Sequence, residues 1–259
     1  MAQSDVIDFR LIGEGMQAVV ITLDPGEQVL AEAGAMLYMT DGIDMQTSTA
    51  AGGGEKKGFF GKMLKAAGRA LAGESFFITT FTNTGSQRAD VAFAAPFPGT
   101  IVPVPLAEYG GELLCQKDAF LCAARGTEIS VAFQKKLGAG MFGGEGFILQ
   151  KLQGDGLACI HAGGSVFPMD LQPGQKLRVD TGCLVAMQPS VTYDIEFVGG
   201  FKNALFGGEG LFFASLTGPG RVLLQTLPLS RLADRLQAAS APLANQGEGG
   251  VLGSMFGGD

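Results

Sequence analysis

This chain repeats itself, and the repetition limits its fold more than any other feature. Phe142-Gly143-Gly144-Glu145-Gly146 returns 64 residues later as Phe206-Gly207-Gly208-Glu209-Gly210. The phrase comes back with Asp for Glu in Met255-Phe256-Gly257-Gly258-Asp259, and Ala72-Gly73-Glu74-Ser75-Phe76 is a weaker copy upstream. A turn of the form Leu-x-Gly-x-Gly falls at 11–15, 152–156 and 216–220. A third block aligns without gaps. Gly26-Glu27-Gln28-Val29 leads to Gly34-Ala35-Met36, Gly111-Glu112-Leu113-Leu114 to Ala119-Phe120-Leu121, and Gly174-Gln175-Lys176-Leu177 to Gly182-Cys183-Leu184. A fixed period of this kind marks structural units that bury their apolar faces against one another. Three units are predicted, at about 6–73, 74–144 and 145–208. Residues 209–227 repeat only the opening strands and are expected to close the sheets against the first unit. Residues 1–227 then form one triplicated body, and 228–259 a C-terminal helix with a glycine-rich tail.

Within each unit the period is two. Lys176-Leu177-Arg178-Val179-Asp180 and Val191-Thr192-Tyr193-Asp194-Ile195-Glu196-Phe197 alternate strictly, as strands with one buried and one wet face do. The 41 glycines follow no collagen period and punctuate the chain every 8–12 residues or so. The fold class predicted is all-β, with three tandem modules of β-sandwich or double-stranded β-helix type and pseudo-threefold symmetry. Such modules leave strand edges that need covering, so a homo-oligomer is expected.

Two segments depart from this. Residues 58–71 are predicted to form an inserted amphipathic helix. Phe59, Phe60, Met63, Leu64, Ala67 and Leu71 fall in one arc, with Lys62, Lys65 and Arg69 opposite. At about 1.5 Å per residue it would be near 21 Å long, too short to span a bilayer. Leu229, Leu232, Ala233 and Leu236 predict a second, short helix over 229–239.

A net charge of −7 and a pI near 4.8 argue against a protein that neutralises nucleic-acid phosphates. One histidine excludes a multi-histidine metal centre. Cys115, Cys122, Cys159 and Cys183 form no CxxC pair and sit in apolar segments, which suits a reduced, cytoplasmic chain. No secretory start and no apolar run of spanning length is present.

The repeated Phe-Gly-Gly-Glu-Gly, the Gly58-Phe59-Phe60-Gly61-Lys62 segment and the Pro173-Gly174-Gln175 block resemble a bacterial family of uncharacterised proteins. That family is related to the yeast "altered inheritance of mitochondria" protein of the mitochondrial-biogenesis class, and the resemblance runs over about residues 5–227. It implies a fold like that of the tryptophan RNA-binding attenuation protein, triplicated in one chain. It also implies an association with inner-membrane organisation. It supplies no catalytic residue and no cofactor, and the fold likeness does not license RNA binding.

Candidate chemistry is sparse, and each candidate has a structural alternative. Glu74, Glu145 and Glu209 would converge under threefold symmetry and could hold a hard cation, or could simply cap glycine turns. None of the glycine clusters fits a phosphate-binding loop. His161 follows Cys159 at i+2, so the two share a strand face, but further metal ligands and an orienting third group are missing. Lys57, Phe59, Phe60, Lys62, Lys65 and Arg69 suit an interfacial segment lying on anionic lipid or a protein partner; equally, the helix could dock on the core. The sequence reads as a non-enzymatic scaffold or assembly protein, cytoplasmic and peripheral to the inner membrane. The alternative is a small-ligand or divalent-cation binding module.

Overall fold

The computed structural model describes residues 3–49, 77–135, 147–197 and 212–246. The first strands are β1 (Asp8–Ile12), β2 (Ala18–Leu23), β3 (Gln28–Glu32), β4 (Met36–Met39) and β5 (Ile43–Thr49). They are followed by β6 (Phe77–Asn83), β7 (Ala89–Ala94), β8 (Gly99–Pro105), β9 (Glu112–Gln116), β10 (Phe120–Ala124) and β11 (Glu128–Lys135). The next six are β12 (Phe147–Gln153), β13 (Leu157–Gly163), β14 (Val166–Leu171), β15 (Lys176–Asp180), β16 (Leu184–Met187) and β17 (Thr192–Phe197). Then come β18 (Phe212–Thr217), β19 (Gly220–Gln225) and the helix α1 (Leu229–Gln246). The fold is all-β, as the alternating pattern predicts.

The described residues form four antiparallel sheets, with strand orders β1-β2-β7-β4, β5-β6-β3-β10-β13-β8, β11-β12-β9-β16-β19-β14 and β15-β18-β17. Adding six to each number in the second sheet gives the third. The same shift carries β4, β7 and β2 onto β10, β13 and β8, and β11, β12 and β9 onto β17, β18 and β15. Each six-stranded sheet is therefore two three-stranded halves from consecutive units, joined at β3–β10 and at β9–β16.

This corrects the expected role of residues 209–227. β18 pairs with β15 and β17, and β19 with β14 and β16. They complete the third unit instead of closing against the first. β2, β8 and β14 are the equivalent first strands, so the repeat starts one strand pair later than the glycine phrases suggest.

Three apolar layers fill the spaces between the sheets, and strand alternation decides which layer each side chain enters. Val29 and Ala31 of β3 pack with Val19, Ile21 and Phe93 in the first layer, while Leu30 between them packs with Phe120 and Ile160 in the second. On β9, Leu113 and Cys115 face the second layer and Leu114 the third. The two inner sheets are thus buried on both faces, which explains why β10 reads Phe-Leu-Cys-Ala-Ala without a polar break. In the first layer Phe81 and Phe93 meet edge to face at 5.2 Å.

The helix α1 runs seven residues past the predicted end. Ala238, Ala239, Ala241 and Ala244 favour this continuation by intrinsic helix propensity, against the cost of Pro242 within it. The inserted segment at 58–71 lies outside the described residues, as do Glu74, Glu145 and Glu209.

Candidate functional site

A cleft of about 640 Å³ opens where α1 leaves the body. Its floor is His161 of β13 and Gln225 of β19, its sides are Phe97 and the turn Lys117–Ala119, and α1 contributes Ser230, Ala233 and Asp234. The first turn of α1 is tied down by an ion pair of 2.8 Å between Arg231 and Asp180. The other oxygen of Asp180 accepts from the Gly182 amide at 2.9 Å, which shapes the turn Thr181–Cys183.

His161 and Gln225 hold the same place in successive units. Ile160 lies opposite Phe120 and Leu224 opposite Leu184, so the next residue in each strand corresponds, as does Ala94 in the first unit after Phe93 opposite Met36. Gln225 acts as a strut: Gly163 N–H donates to its Oε1 at 2.7 Å and its Nε2 donates to the Gly182 carbonyl at 2.6 Å. His161 is 3% exposed and meets the Phe97 ring edge to face at 4.6 Å. Its Nδ1 is buried and has no hydrogen-bond partner among the described residues. Burial pushes its pKa down to about 4, so the ring is neutral near pH 7. Sequence reasoning considered His161 as a metal ligand and missed Gln225, although the 64-residue spacing between them is that of the glycine phrases.

Beside the cleft, Glu32 at the end of β3 is half-buried. Its carboxyl is raised to about 7, mainly by burial and then by the charge of Asp118, against the opposing charge of Lys117. Elsewhere the chemistry is muted. Cys122 and Cys159 face each other across β10 and β13 within the first apolar layer. Burial raises the Cys115 thiol to about 12 and lifts Cys122 well above its ordinary value. Cys183, in the turn before β16 and not in a strand, is the partly exposed one. A maleimide reagent on the native protein is expected to modify one thiol per chain, at Cys183 and slowly, since burial and then Asp180 raise its pKa. Rapid labelling of two or more thiols before denaturation would contradict this arrangement. Among the described residues no group of three or more His, Cys, Asp or Glu side chains is placed to hold a metal ion. Among them, too, no helix is long and apolar enough to cross a membrane.

Fold and cleft together define an all-β repeat protein whose sandwich units share sheets. The chain belongs to the family described as "Mitochondrial biogenesis AIM24", whose model matches residues 9–227. It is 29% identical over 242 residues to an uncharacterized protein of Streptococcus pyogenes serotype M6, covering 91% of this chain and 93% of that protein. It is also similar to a Streptococcus pyogenes protein solved by X-ray crystallography. That likeness has a TM-score of 0.70 and 26% identity, over 90% of this chain and 99% of the other. The family expected from the sequence is therefore the right one, and its bacterial relatives are themselves uncharacterised.

Proposed function

We propose that this chain is a non-enzymatic scaffold that assembles at an anionic membrane surface and holds partners there. The observation that supports this reading is where its exposed apolar side chains fall. Leaving aside β4, six of the nine other large hydrophobics exposed among the described residues lie between Val6 and Met45. Val6 is 81% and Met16 68% exposed, and Phe9, Leu11 and Ile12 of β1 are exposed with them. Exposed apolar side chains concentrated in one unit, unlike scattered ones, point to an interaction surface. The segment joining β5 to β6 carries Lys56, Lys57, Lys62, Lys65 and Arg69 against Glu55. Apolar contacts supplemented by local positive charge suit anionic lipid, even on a chain whose net charge is −7.

Co-sedimentation with phosphatidylserine-containing and neutral vesicles tests it. Binding is expected to the anionic vesicles alone and to fall with added salt. Charge reversal at Lys62 and Lys65 is expected to weaken it by about tenfold or more, each basic residue near such a surface contributing roughly 1 kcal/mol. Equal binding to neutral vesicles, or no binding at low salt, would remove the membrane from the proposal.

A further inference from the structure

The two ends of the sheet stack are unfinished in complementary ways. Inside the chain, consecutive units are joined by one kind of strand pair. β3 meets β10 with Ala31 opposite Cys122, Leu30 opposite Ala123 and Val29 opposite Ala124. β9 meets β16 with Cys115 opposite Ala186 and Leu114 opposite Met187. β4 is the counterpart of β10 and β16: it lies on β7 as they lie on β13 and β19, with the register break at the same point. β15 is the counterpart of β3 and β9, paired to β18 as they are to β6 and β12. Among the described residues, neither β4 nor β15 has a strand on its other side.

Burial records the missing neighbour. All five residues of β10 and all four of β16 are buried. Their counterparts Met36, Leu37, Tyr38 and Met39 are all exposed, Leu37 by 60%. In β3 and β9 the central residues are buried, whereas Lys176 and Arg178 of β15 stand exposed. An uncharged apolar strand with an open edge is a template for pairing. Within this fold, the strand type that covers such an edge is that of β3, β9 and β15, and among the described residues β15 is the one whose edge is open.

We propose that β4 of one chain pairs antiparallel with β15 of a second copy. The result is a seven-stranded sheet between chains, β17-β18-β15-β4-β7-β2-β1, built as the two internal sheets are. The internal junctions fix the register, with Tyr38 opposite Val179 and Met39 opposite Arg178. The contact is head to tail: each chain offers β4 at one end and β15 at the other, so assembly closes into a ring or continues as a filament. This contact uses the edge of the first sheet opposite β1 and does not depend on membrane binding.

Two separately purified chains, Met39→Cys and Arg178→Cys, each also carrying Cys183→Ser, test the register when mixed under mild oxidation. A covalent dimer is expected, formed about tenfold faster than by Met39→Cys with Lys176→Cys, because a disulfide needs β-carbons about 4 Å apart. Equal rates for the two pairs overturn the register. A monomeric cross-link within a chain carrying both substitutions shows that the ends meet in one molecule, and overturns the second copy. Leu37→Glu with Met39→Glu supplies an independent test, since both side chains are already exposed in the single chain. In solutions too dilute for association its melting is expected to match that of the wild type, while self-association at higher concentration, followed by light scattering, weakens about a hundredfold. A wild-type protein that has single-chain mass at micromolar concentrations overturns the proposal outright.

Discussion

Gly99→Ala is expected to destabilise the protein by about 3 kcal/mol and to lower its melting temperature by roughly 8 °C. Gly99 opens β8 opposite Gly163, and its amide donates to the Gly15 carbonyl at 3.0 Å. A β-carbon there would lie far inside van der Waals contact with the Ala162 carbonyl oxygen and with Nε2 and Cε1 of His161. The imidazole has little room to retreat because Phe97 abuts it, and the carbonyl belongs to a paired strand. Gly15→Ala makes the control: a β-carbon at Gly15 meets nothing within 4 Å, so a change within about 0.5 kcal/mol is expected. Adding His161→Ala to Gly99→Ala should restore only part of the loss, because the backbone clash stays. Thermal melts of the four chains decide it. Gly99→Ala melting with Gly15→Ala would mean that β8 and β13 sit further apart than described.

The close approach of Gly99 to β13 could not be read from the sequence, where it is one glycine among 41. The repeats themselves were legible, and so was the alternation that makes this an all-β chain. What misled was phase. The gapless block sets Gly111 against Gly26 and Gly174, yet β3, β9 and β15 each begin two residues after Gly26, Gly110 and Gly174. Those three glycines all have positive φ, at 89°, 77° and 77°. Gly110-Gly111 offers the eye two choices, and a slip of one residue turns every side chain of a strand to the other face. With Gly110 chosen, Leu113 and Cys115 align with Val29 and Ala31, each pair filling an apolar layer, and β10 aligns with the exposed β4.

The functional surface was legible to a different degree. Periodicity says which residues of a strand share a face, but not whether another strand lies beside it. Met36-Leu37-Tyr38-Met39 is as apolar as Leu184-Val185-Ala186-Met187, and one is exposed where the other is buried. That contrast comes from position at the end of a stack, which no local pattern encodes. The cleft is likewise a product of assembly. His161 and Gln225 come together because β13 and β19 occupy equivalent places in adjoining sheets, and α1 then covers them.

The same neighbourhood leads to an expected pH profile in which two large effects oppose each other. Glu32 has an ordinary pKa of 4.5 and a folded value of about 7. The native state therefore binds more protons than the unfolded state between those values, and stability falls as pH rises from 4.5 to 7. His161 has an ordinary pKa of 6.5 and a folded value of about 4, so the unfolded state binds more protons there, and stability falls as pH drops from 6.5 to 4. Each displacement corresponds to at most ~3 kcal/mol, and to about 2 kcal/mol once water at the cleft screens the charge. Over roughly pH 4.5–6.5 the two slopes cancel, and these groups leave the wild-type protein nearly flat. Glu32→Gln should remove the fall at high pH, raising stability at pH 8 by about 2 kcal/mol and exposing the histidine's acid loss. His161→Gln, which copies the residue its counterpart position already holds, should do the reverse and leave stability falling between pH 4.5 and 7. Urea unfolding from pH 4 to 8 separates them. Parallel profiles for wild type and Glu32→Gln would mean that water reaches the Glu32 carboxylate freely. Asp118, whose charge helps hold that carboxyl up, would then no longer couple the end of β3 to the cleft.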